Sequence, residues 1–182
     1  MIASADATWW SALAHGGLLI APSRLAEHFP QETEPLEPWI EDKLRSALDR
    51  HEVRPKQALS ELLDRVLEGA LGLGRAHDSE TGLWDKGSNV PPEYGHRDAT
   101  GTVIKPQRVW RGTARDTVLQ TRAELPVFVD DADRIGVHRG RRAHARVVEW
   151  LRAMDRPLAL LTNGRQWRLI HVALDSDAWA ES

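Results

Sequence analysis

The sequence contains no cysteine among its 182 residues. Without thiols the chain has no disulfide framework, no zinc finger and no cysteine nucleophile, and a reducing cytoplasm is the expected setting. It also has no apolar run that approaches the roughly 20 residues needed to cross a bilayer, and its start lacks the basic region and long apolar stretch of a secretory signal. We therefore expect a cytoplasmic protein with no membrane partner.

Two further absences concern basic side chains. No two of the eight histidines lie three or four residues apart, the spacing that places two metal ligands on one helix face. No lysine follows Lys105, and residues 106 to 170 carry 13 arginines and 7 acidic residues, whereas residues 1 to 105 carry 11 basic and 17 acidic residues. An all-arginine block suits two-pronged contacts to phosphate, although GC-rich codon usage favours arginine as well.

The chain is 41% hydrophobic, enough for one globular domain with a helical extension. We predict a helical N-terminal segment over residues 1–75, a long loop rich in glycine, proline and charge over 76–105, and an α/β core over 106–182. Two helices divided by Pro55 are expected in the first segment. The apolar face of the first is predicted to contain Trp39, Ile40, Leu44, Ala47 and Leu48.

The stretch from Arg141 to Ile170 predicts a helix, a strand, a tight turn and a second strand. Pro157 ends the helix and Leu158 to Leu161 form a short buried strand. Asn163-Gly164 is typical of a two-residue hairpin turn in which both residues have positive φ. The helical stripe consists of apolar residues spaced by three or four, namely Ala143, Val147, Trp150, Leu151 and Met154.

Two more strands, Thr117 to Leu119 and Leu125 to Val129, precede that helix and complete an α/β sheet. Magnesium-dependent nucleases use this order of strand, strand, helix, strand, strand, with an Asp on one strand and Asp or Glu, any residue, Lys on the next. Asp116 and Asp130 stand where the two carboxylates would hold Mg²⁺. Ala132 occupies the position of the lysine, so we expect a degenerate copy without cleavage activity.

Several arginines surround the start of the predicted helix, where the helix dipole is positive and disfavours them. They require an anion nearby, which is either the acidic group Asp130, Asp131 and Asp133 or a nucleic-acid phosphate; we favour phosphate slightly. The predicted DNA-binding residues are Arg134, Arg139, Arg141, Arg142, Arg146, Arg165 and Arg168.

Three stretches carry a resemblance to a known family: G-V-H-R-G-R-R-A-H-A-R-V-V-E-W-L-R, P-L-A-L-L-T-N-G-R-Q-W-R-L-I and the opening H-G-G-L-L-I-A-P-S-R-L. Together they resemble the N-terminal region of type IIG-like adenine-specific DNA methyltransferases of bacterial restriction-modification, including the methylase of DISARM antiphage systems. The resemblance implies a restriction-endonuclease-like domain of the PD-(D/E)XK type. In that family a helical segment, a methyltransferase that uses S-adenosylmethionine and a target-recognition region follow. We expect S-adenosylmethionine only in a parent protein, because the methyltransferase motifs do not occur in this sequence.

Three hypotheses follow from the sequence. The first is a nuclease-like domain that binds double-stranded DNA without cleaving it, within a restriction-modification or antiphage methyltransferase. The second is an active Mg²⁺-dependent DNA endonuclease with Asp116 and Asp130 as ligands. The third is a docking module whose basic face meets an acidic protein of a defence system.

Overall fold

The computed structural model of the chain describes residues 35–73, 83–115, 122–132, 134–137 and 140–172. The chain divides into two compact units, Met1–Pro38 and Trp39–Ser182, and the second contains both the sheet and the helices that pack on it. None of the helices within the described ranges has the length and apolar character needed to cross a membrane.

Two helices open the described part of the chain. Helix α1 spans Pro38–Val53, and α2 spans Pro55–Asp64 and continues as a π-helical turn over Arg65–Ala70. Pro55 occupies the first position of α2, where its missing N–H costs no hydrogen bond and its fixed φ suits the helix. The predicted division at this proline is confirmed.

The buried face of α1 differs from the predicted one. Ile40, Ala47 and His51 are buried, whereas Trp39 is 50% and Leu48 40% exposed. Because each helical residue turns the chain by about 100°, residues 40, 47 and 51 share one line along the helix and residues 39 and 48 fall to either side of it. The predicted face was therefore too wide, and it omitted the histidine.

The remaining described elements in chain order are β1 Leu83–Lys86, β2 His96–Arg97, β3 Val103–Ile104, β4 Arg108–Arg115, β5 Arg122–Val129, α3 Gly140–Ala153, β6 Leu158–Thr162 and β7 Trp167–His171. They form a mixed sheet, a separate small hairpin and one helix. In the five-stranded sheet the order is β1, β4, β5, β6, β7; β5 and β6 are parallel, and the other neighbours are antiparallel. Within the described ranges, strands β2 and β3 pair with each other and with no other strand. The predicted α/β class is confirmed.

The predicted order of strand, strand, helix, strand and strand is present from β4 to β7. The first of these strands is Arg108–Arg115, which was not predicted, and the predicted strand Thr117 to Leu119 lies outside the described residues. The expected loop is also partly ordered: β1, two short 3₁₀ turns and the β2–β3 hairpin occupy residues 83–104. Strands of two to four residues are too short for a periodic pattern, and β1 forms through pairing with distant β4.

Helices cover both faces of the sheet because successive strand residues point to opposite sides. On one face α3 contributes its predicted stripe, in which Ala143, Val147, Trp150 and Leu151 are buried and Met154 is partly buried. On the other face, Leu63 of α2 and Leu67 of the π-helical turn pack against Val127 and Leu160. The neighbouring strand residues, Phe128 and Leu161, belong to the α3 side.

Trp150 is the largest fully buried side chain on the α3 side. Its indole Nε1 donates to the backbone oxygen of Tyr94 at 2.8 Å, and Phe128 meets the ring edge-on with centroids 5.1 Å apart. The indole therefore has both the apolar surroundings and the acceptor that a buried tryptophan requires.

The turn between β6 and β7 is longer than predicted. Thr162 and Trp167 form the last strand pair, so four residues, Asn163 to Gln166, make the connection. Only Gly164 has a positive φ, of 87°, and the Asn163 side-chain oxygen Oδ1 accepts from the N–H groups of Arg165 and Gln166 at 3.0 and 2.7 Å. The asparagine thus stabilises the loop through its side chain rather than through a left-handed backbone.

Candidate nucleic-acid interface

The parallel strands β5 and β6 end side by side, because Val129 pairs with Thr162. In open α/β sheets, ligands bind in the crevice outside the carboxyl ends of such strands. Two loops leave the sheet at this edge, residues 130–137 after β5 and residues 163–166 after β6. Among the predicted site residues, Asp130, Arg134 and Arg165 lie on these two loops.

Side chains of the second loop and of β7 hold the first loop in place. Asn163 Nδ2 donates to the Ala132 oxygen at 2.8 Å, and Gln166 Oε1 accepts from the Ile135 N–H at 2.7 Å. Arg168 Nη2 donates to the Ile135 oxygen, also at 2.7 Å. Both polar groups of the Ile135 backbone are therefore bound by side chains from beyond β6.

The first two turns of α3 reach the same edge. Ala143 and Val147 from these turns line a cleft together with Phe128, Val129 and Leu161, which lie at the ends of β5 and β6. Away from the cleft the same turns expose Arg141 and Arg142, and the exposed Arg146 borders the cleft itself. With the exposed arginines of the two loops they form what we call the arginine surface, Arg134, Arg141, Arg142, Arg146 and Arg165.

Other arginines of the basic block serve inside the fold. Arg108, 4% exposed, binds Asp64, Arg111 lies 2.5 Å from Asp85, and Arg156 lies 3.2 Å from Glu124. In contrast, the arginine surface forms no ion pair with any other described residue. The block that looks uniform in the sequence therefore divides into structural arginines and arginines available to an external anion.

Arg168 differs from the other predicted DNA-binding arginines. It is half-buried, and besides its bond to Ile135 it packs so closely on Gly136 that a Cβ there would lie 2.5 Å from Nη1. Its guanidinium is thus engaged with the loop main chain. Arg139 lies outside the described residues.

An acidic side chain lies near Arg146. Asp98 accepts hydrogen bonds from the Thr100 hydroxyl and from the backbone N–H groups of Thr102 and Thr100, and these bonds lower its pKa. The positive charge of Arg146 lowers the pKa of Asp98 further. Asp98 sits in the connection between β2 and β3, so this hairpin borders the arginine surface.

Asp130 stands directly after β5 at the centre of this edge. Its N–H donates to the Thr162 oxygen at 3.0 Å, and its Oδ1 accepts from the Ala132 N–H at 2.8 Å. These bonds are those of a residue that shapes a turn. Among the residues that the structure describes, no three His, Asp or Glu side chains converge as metal ligands; Asp133 lies outside those ranges.

Asp116 also lies outside the described residues, and its partnership with Asp130 stays a prediction. Its chain neighbour Arg115 pairs with Arg122 at the start of β5. Val129, next to Asp130, lies seven strand residues further on, which corresponds to roughly 23 Å at the usual rise.

One lysine at this edge was not anticipated. Lys105, Gln107 and Arg146 line the cleft beside Asp130, which has a volume of about 140 Å³. The Lys105 ammonium donates to the Val90 oxygen at 2.6 Å. Because β4 is antiparallel to β5, the chain entering β4 arrives where β5 ends. The nuclease pattern expects its lysine after Asp130, whereas Lys105 precedes Asp130 in the chain and reaches this edge only because β4 runs antiparallel to β5.

Comparison with known proteins adds no relative: no family model, no curated protein and no solved structure matches the chain.

Proposed function

We propose that this chain is a double-stranded DNA-binding domain with a nuclease-like frame, from a bacterial restriction-modification or antiphage-defence adenine methyltransferase, and that it does not itself cleave DNA. The observation that carries the proposal is the arginine surface. Five exposed arginines without an ion-pair partner among the described residues lie on three segments that meet at one edge of the sheet.

Several like charges on one surface cost electrostatic free energy, and a bound polyanion would offset this cost. Like charges one helical turn apart, such as Arg142 and Arg146, repel each other, and arginines in the first turn also oppose the helix dipole. A phosphate backbone removes both penalties, releases counterions and offers the planar guanidinium two oxygens at once.

The order of the strands and the helix supports the proposal less strongly than the arginine surface does. The order of β4, β5, α3, β6 and β7 is the order expected of magnesium-dependent nucleases, and it agrees with what the family resemblance implies. Mg²⁺ would be required only for the second candidate function, an active endonuclease. The observation in favour of that function is Lys105, which supplies an ammonium group beside Asp130 in one cleft.

A basic face also suits an acidic protein, which is the third hypothesis, so the test must separate the two partners. Anisotropy titration of a labelled duplex at low salt should give saturable binding that Arg141→Gln with Arg142→Gln weakens. Arg152→Gln is the matched control, because Arg152 is exposed on the same helix but lies about 15 Å further along its axis. Capture of an acidic protein from nuclease-treated lysate, with no duplex binding by the purified chain, would support docking instead.

A further inference from the structure

Gln166 and Arg168 lie outside the arginine surface, but they contact the loop that follows β5. We propose that Gln166 and Arg168 are positioning residues for Arg134, which they hold in place by binding the backbone of its neighbour Ile135. The inference rests on the proposed function, because it specifies how one part of the DNA-binding surface is presented.

The geometry leaves Arg134 between two anchored points. Ala132 is bound on one side through its oxygen, by Asn163, and Ile135 on the other through both its N–H and its oxygen. The Ile135 side chain is itself fully buried in the α3 core. A loop fixed on both sides of an exposed arginine presents its guanidinium with little loss of backbone entropy when DNA binds.

Arg168 thereby acquires a role different from the predicted one. The sequence suggests another phosphate contact, but the guanidinium bonds to a backbone oxygen and packs against Gly136, whose φ of 83° brings the loop close. Gln166 carries no charge, so electrostatics alone predicts that its replacement leaves DNA binding unchanged. The positioning role predicts the opposite.

The experiment measures duplex affinity of the full chain against salt concentration for Gln166→Met, which keeps the side-chain size and the net charge but removes the acceptor for the Ile135 N–H. Loss of one phosphate contact should weaken binding roughly threefold to tenfold and reduce the slope of log K against log salt by about one. Arg168→Lys should behave in the same way, since lysine keeps the charge but not the planar fork that reaches Ile135 and Gly136.

Two further measurements separate positioning from general loss of structure. In an Arg134→Gln background, Gln166→Met should cause no additional loss, because both changes remove the same contact. Hydrogen exchange of the Ile135 amide should become faster in Gln166→Met while amides of β5 stay protected.

The outcomes distinguish this inference from the proposed function. Salt-dependent binding by the wild type with an unchanged slope in Gln166→Met overturns the positioning role alone, as does additivity with Arg134→Gln. An unchanged slope in Arg168→Lys also overturns it, because that result identifies Arg168 as a phosphate contact. Absence of duplex binding by the wild type overturns both proposals.

Discussion

Gly164 lies so close to His51 that a Cβ on the glycine would stand 2.3 Å from the histidine Nε2. His51 is buried near the end of α1, and its Nδ1 lies 3.1 Å from the Pro55 oxygen. The loop between β6 and β7 thus packs directly on the junction between α1 and α2. Glycine suits this position for two reasons: its φ is 87°, and the absence of a Cβ leaves space for the imidazole ring of His51.

Replacement of Gly164 by alanine should therefore destabilise the fold in two ways. The left-handed backbone conformation of a residue with a Cβ costs about 1 to 2 kcal/mol, and overpacking of the new methyl group against His51 costs about 1 to 3 kcal/mol. Gly101→Ala is the matched control, since its φ is 82° but no atom lies within 4 Å of the point that the new methyl group would occupy. Urea unfolding measures both free energies. Equal losses in the two variants would contradict the contact with His51.

Trp150→Phe should lower the free energy of unfolding by about 2 to 4 kcal/mol, because it leaves the Tyr94 oxygen without its donor and opens space in the core. Trp39→Phe, at a half-exposed position, should cost less than about 1 kcal/mol. Thermal melts followed by circular dichroism compare them. A similar loss in both variants would show that Trp150 does not anchor α3.

Asp64 of α2 forms ion pairs with Lys86 of β1 and Arg108 of β4. These ion pairs predict that the stability of the fold depends on pH. Burial alone would raise the pKa of Asp64, but hydrogen bonds from Lys86 and Arg108, together with their charges, lower it below its ordinary 3.8. A depressed carboxyl pKa contributes stability that is complete above the unfolded value and disappears as pH falls through the folded one. Unfolding free energy should therefore decrease as pH falls below about 4.

Asp64→Asn should reduce stability at neutral pH and flatten that decrease, as measured by urea unfolding at several pH values. Asp42→Asn, at an exposed position on α1, serves as the control and should leave the profile unchanged. An acid profile for Asp64→Asn as steep as that of the wild type would assign the effect to other carboxyl groups.

Incubation of supercoiled plasmid with the chain and Mg²⁺ or Mn²⁺ should leave the plasmid intact, because Ala132 stands in place of the catalytic lysine and Lys105 is bonded to Val90. Nicking that Asp130→Ala abolishes would establish the endonuclease function instead. Nicking that survives this change would indicate a contaminating nuclease.

The sequence predicts those parts of the fold that follow from local pattern. The apolar stripe of α3 and the runs in β5 and β6 are long enough for periodicity to identify them, and Pro55 begins α2 because its fixed φ suits the first helical position. Pro157 lies between α3 and β6, but the helix already ends at Ala153, before Asp155 with its φ of 51°. Strands β1 and β4 are different, since they exist through pairing across the sheet. Arg108 in particular reads as a surface residue, yet it is buried against Asp64.

The same distinction applies to the candidate site. Charge counts along the chain identify a basic second half, but they cannot separate Arg108, Arg111 and Arg156, which bind carboxylates within the fold, from arginines that face outward. The roles of Gln166 and Arg168 depend on a contact between two loops more than 30 residues apart, for which the sequence contains no local signal.

The arginine surface is tested most directly by the slope of log K against log salt for a duplex of mixed sequence. About 0.9 per neutralised phosphate gives a slope of roughly −3 to −5 for the wild type, and Arg141→Gln with Arg142→Gln should reduce its magnitude by about two. Arg152→Gln should leave it unchanged. Binding that does not depend on salt, or an equal reduction by Arg152→Gln, would contradict the assignment of this edge of the sheet to DNA.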